Sequence, residues 1–73
     1  MIKRYAIIVE DCGTNLAAYV PDLPGCVATA DSSQELNRLI REAIEFHIDG
    51  MLEDGLPIPE PTSRAEYVEV GAV

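Results

Sequence analysis

Two cysteines, one histidine and thirteen carboxylates are the side chains of this sequence with the chemistry to bind a metal, attack a substrate or move a proton. Cys12 falls in an Asp11-Cys12-Gly13-Thr14-Asn15 turn and Cys26 opens a strand, so they lie at opposite ends of the strand between them. That separation is roughly 16 Å, well beyond the ~7 Å between Cα atoms that a disulfide tolerates, and two free thiols in a reducing compartment are expected. Neither has a Lys, Arg or His neighbour in sequence to make it reactive. At about 100° per residue, His47 falls in the middle of a helix's apolar face, between Ala43 and Met51, where it reads as a core histidine. There is no second histidine for a metal site and no Ser-His-Asp or Cys-His grouping. A two-metal nuclease needs convergent carboxylates, usually one of them inside the central strand, and residues 5–9 contain none. Glu10, Asp11, Glu42 and Glu66 read as solvated faces and turn residues. No catalytic residue, cofactor or metal is expected. A relict nuclease ranks last, and would need metal-dependent cleavage lost on substitution of Glu10 or Glu66.

The elements that position these residues follow from pattern and breakers. Residues 3–10 mix Tyr, Ile and Val, the turn at 11–15 reverses the chain, and 16–20 completes a hairpin. Pro21-Asp22-Leu23-Pro24-Gly25 ends that strand, and 26–30 forms a third. Ser32 and Glu35 make a capping box at the head of a long helix. Along it Leu36, Leu39, Ile40, Ala43, Ile44, Ile48 and Met51 recur at helical spacing, while Arg38, Arg41, Glu42, Glu45 and Asp49 take the opposite side. Gly55 is placed to end the helix, and Pro57, Pro59 and Pro61 hold 56–63 extended as a stiff return path. Residues 65–70 have the composition of a strand.

The class is therefore α+β, with order βββαβ. A three-stranded antiparallel meander carries one helix packed on the sheet, and a right-handed crossover lays a fourth strand parallel to the first, in spatial order 3-2-1-4. The first strand is then central, with Tyr5, Ile7 and Val9 on one face and Ala6 and Ile8 on the other. Both faces are apolar and one helix covers only one of them, so a second copy or a protein partner is expected on the other.

Size and charge narrow the classes. The 73 residues are read as one domain, 1–73, too short for a separate DNA-reading module. Such a chain buries only about 60% of its unfolded surface, which again favours association. A net charge of -8 opposes a phosphate backbone, so direct nucleic-acid binding by this chain is not expected, whereas a basic protein partner is favoured. No apolar run approaches the ~20 residues of a membrane span, and the N-terminus lacks a signal pattern. No membrane role and a cytoplasmic location are expected.

The run Ala18-Tyr19-Val20-Pro21-Asp22-Leu23-Pro24-Gly25-Cys26-Val27-Ala28-Thr29-Ala30-Asp31-Ser32, the helix residues Glu42-Ala43-Ile44 and His47, and the stretch Glu53-Asp54-Gly55-Leu56-Pro57-Ile58-Pro59-Glu60-Pro61 strongly resemble the HicB family, the antitoxins of HicA-type toxin pairs. Ala30 stands where that family commonly has Gly. The resemblance implies a degenerate ribonuclease-H-like fold that binds and blocks a small, basic, RNA-cleaving toxin. It also implies a short form, because many members carry a C-terminal DNA-binding unit for which no room is seen before Val73. By sign and expected exposure, Asp22, Glu42, Glu45 and Asp49 are partner-binding candidates, and Leu23 of the Pro21–Gly25 loop is taken with them. The alternative is a stand-alone homo-oligomeric structural or scaffold protein of the same fold, without a toxin partner.

Overall fold

In the computed structural model, which describes residues 3–72, the sheet is set by two connections whose residues leave the backbone little choice. The first joins β1 (Ile8–Asp11) to β2 (Leu16–Tyr19): Asp11 Oδ1 accepts from Gly13 N at 2.9 Å, Cys12 N donates to Asn15 O at 2.9 Å, and Gly13 takes φ 90°. The second joins β2 to β3 (Val27–Ala30) through two successive turns. Leu23 N donates to Val20 O, and Cys26 N to Leu23 O, each at 3.1 Å. Pro21 and Pro24 each occupy the position of a turn where a φ near −65° is wanted, and Gly25, at φ 84°, supplies the left-handed residue that a type II turn requires.

β1 pairs with β2 and β2 with β3, both antiparallel, in the order β1-β2-β3. β1 is shorter than the apolar run at 3–10. Ile8 pairs with Tyr19. One step further out the opposing residues are Val20, whose N–H is given to Cys26 O at 3.1 Å, and then Pro21, which has no N–H. Residues 3–7 therefore continue the line of β1 without a ladder.

The helix α1 (Ser33–Glu53) begins where expected: Ser32 is its N-cap, and its hydroxyl accepts from Glu35 N at 3.2 Å. It ends in a Schellman arrangement, with Leu56 N on Met51 O at 2.9 Å, Gly55 N on Leu52 O at 3.2 Å and Gly55 at φ 69°. The helix lies on β3 and β2 and does not reach β1. The core between the layers is Ala18, Val20, Leu23, Cys26, Ala30, Leu36 and Ile40, with Tyr5, Ile7 and Leu39 partly buried against it. Leu23, with no exposed surface, is its keystone. At 1.5 Å per residue the helix is about 31 Å long, whereas a four-residue strand spans about 13 Å. Its second half accordingly overhangs the sheet, and Ile44, His47, Ile48 and Met51 are only half-buried.

The structure departs from expectation at the fourth strand. Residues 65–70 carry no strand, and the sheet has three strands among the described residues. Tyr67 is 99% exposed, and Val68 and Val70 are also open to solvent. The Cα radius of gyration is 14.2 Å, against about 11 Å for a compact domain of this length, as a projecting tail requires. The cause lies in the return path, described below. The open face of the sheet is apolar in part, because Ile8, Tyr19 and Val27 stand directly opposite one another across the three strands while Glu10 and Thr29 occupy the same face further along.

Leu23→Ala should lose about 2–5 kcal/mol of stability, and Gly25→Ala about 1–2 kcal/mol through its left-handed backbone. Urea denaturation followed by circular dichroism measures both, and a Leu23→Ala cost well under 1 kcal/mol contradicts the keystone role.

Candidate partner-binding surface

Three prolines keep the segment after the helix extended, and side chains from both ends of the fold fasten it. Tyr5 Oη donates to Pro59 O at 2.6 Å, and Lys3 Nζ meets Glu60 at 2.8 Å. Asp22 closes the path: its carboxylate accepts from Ser63 N at 2.9 Å, from Ser63 Oγ at 2.8 Å and from Thr62 Oγ1 at 3.2 Å. These hydrogen bonds, the Ser63 backbone N–H first among them, hold the Asp22 carboxyl below its ordinary value. The Glu60 contact raises the Lys3 ammonium, as a hydrogen-bonded surface pair should. The strap thus crosses the end of the sheet from residues 3–5 beside β1 to the β2–β3 connection. A chain so anchored has passed the free edge of β1 before residue 64, and residues 65–70 leave into solvent instead of turning back.

Five acids and two arginines lie on α1, and the acids dominate its outer side. Glu42, Glu45 and Asp49 are exposed, with Glu42 bound to Arg38 at 3.3 Å in a solvent-screened i,i+4 pair. The last turn holds Glu53 and no basic residue, which sets negative charge against the negative end of the helix dipole. In this stripe stands Phe46, 82% exposed, one turn from Glu42 on one side and Asp49 on the other. An aromatic ring presented among carboxylates is an anchor of the kind a basic protein surface accepts.

The overhang creates a second surface. An open groove of about 850 Å³ separates residues 3–7 from the helix, lined by Tyr5 and Ile7 on one side and by Ile40, Ile44, Ile48 and Leu52 on the other. Lys3, Arg41 and Glu45 also line it.

The structure distributes the expected contact residues unevenly. Glu42, Glu45 and Asp49 share the outer helix side, whereas Asp22 is turned inward onto Ser63 and Thr62, and Leu23 is wholly buried. A contact by Leu23 would require the double turn to open, so its place is in the core and not on a surface. Phe46 escaped the sequence reading, although it is the one phenylalanine and lies off the apolar helical stripe. Cys12 is exposed and Cys26 buried, both as free thiols, and burial pushes the Cys26 thiol up. His47 is half-buried and makes no hydrogen bond among the described residues, so it packs as part of the overhang and not as a satisfied core group. Among the described residues no cluster of three or more His, Cys, Asp or Glu side chains is placed to hold a metal, and no helix is long and apolar enough to cross a membrane.

The family described as HicB-like antitoxin of bacterial toxin-antitoxin system matches residues 5–71. The chain belongs to this HicB-like family. A Haemophilus phage HP1 protein, an uncharacterized 14.9 kDa product of the rep-hol intergenic region, is 38% identical over 64 residues, covering 88% of this chain and 48% of that protein. Antitoxin HicB 2 of Photorhabdus laumondii is 31% identical over 70 residues, covering 94% of this chain and 50% of the relative. The chain therefore spans about half the length of these two curated relatives. A UPF0150 protein of Synechocystis is 30% identical over 60 residues, covering 81% of this chain and 76% of the relative. Among solved structures, a chain of the HicA3 and HicB3 toxin-antitoxin complex superposes with a TM-score of 0.71 at 25% identity, over 82% of this chain and 70% of that one. In this HicB-like chain the run from Ala18 to Ser32 is accounted for by structure: a strand, two proline turns, a buried leucine and cysteine, a second strand and a helix cap.

Because the folded-state carboxyl of Asp22 is held low, its contribution to stability is complete above the ordinary value of 3.8 and fades as pH falls through the lower folded-state value. Asp22→Asn should therefore lower the melting temperature at neutral pH and bring it closer to wild type in acid. Thermal melts across that range check this, and a constant difference between the two proteins contradicts the clasp.

Proposed function

We propose that this chain is a non-enzymatic antitoxin domain, residues 1–73, that binds a small, basic, HicA-type RNA-cleaving toxin in the cytoplasm and covers its RNA-facing surface. The observation that carries the reading is Phe46, exposed in a helix stripe of Glu42, Glu45 and Asp49. The ring supplies apolar contact, and the carboxylates stand in for phosphates against the toxin's cations while raising the encounter rate. Family membership and the likeness to a chain of the HicA3 and HicB3 complex support the same partner class. The charge of -8 supports a role without direct nucleic-acid contact by these residues. The degenerate ribonuclease-H-like topology belongs to the same proposal, with its fourth strand formed only on association.

Co-expression with a HicA-type toxin should give a co-eluting complex and suppress RNA cleavage. Phe46→Ala should weaken the complex by about 2 kcal/mol, roughly 30-fold, without lowering the melting temperature. Glu42→Lys with Asp49→Lys should slow association and reduce its salt dependence. Neither binding nor protection of RNA by the wild-type chain would overturn the reading.

A further inference from the structure

We draw no further inference here: the strongest candidate, the open groove between residues 3–7 and the second half of α1, has its Lys3 paired with Glu60 and is already lined by Ile58 of the strap, and nothing in the structure shows what covers the rest.

Discussion

Neighbouring strands lie about 4.8 Å apart and a helix is about 10 Å across, so one helix can roof two strands and not three. The fold is organised by that mismatch. α1 settles on β2 and β3, where Ala18, Val20, Ala30, Leu36 and Ile40 close a small core, and leaves β1 at the margin. It is also longer than the strands beneath it, so its second half projects beside residues 3–7 and exposes a flank of isoleucines and Leu52. Among the described residues α1 is the one helix, and this margin stays open.

The same constraint explains why the ends of the molecule are tied as they are. The double turn at 20–26 seals the core with Leu23 from below and offers Asp22 to the strap from above. Tyr5 and Lys3 hold the strap where it crosses the line of β1. Each of these contacts stabilises the return path, and together they carry the chain beyond the edge that a fourth strand would have used. Stability of the single chain and the open edge of β1 therefore have a common origin. The outer side of the helix is independent of this arrangement: Glu53 opposes the helix dipole at the C-terminus, and Phe46 buries little within the chain, so neither feature adds much to the fold that displays them.

Much of this was legible in the sequence because local chemistry decided it. Two prolines and a glycine dictate the turns, Ser32 and Glu35 the start of the helix, and Gly55 its end, and each does so through backbone geometry that needs no distant partner. The partition of the helix into an apolar and a charged side was equally plain. What pattern alone missed depends on distant contacts. Strand composition at 65–70 is real, but a strand exists only where an edge is within reach, and the Asp22 clasp that withholds the edge joins residues some forty positions apart. Loop position points Asp22 and Leu23 to the surface, whereas the double turn rolls Leu23 inward to the core and Asp22 onto the strap. Phe46 was visible as an apolar residue off the stripe and went unread because a single aromatic does not disturb a periodicity.

Amide hydrogen exchange of the wild-type chain and of Asp22→Asn tests most directly whether the strap keeps residues 65–70 off the edge of β1. The account predicts that β2 and β3 exchange slowly in both proteins, because their partners lie within the chain, and that 65–70 exchange at open-chain rates in the wild type. Protection of 65–70 in the wild type comparable to that of β2 would contradict it.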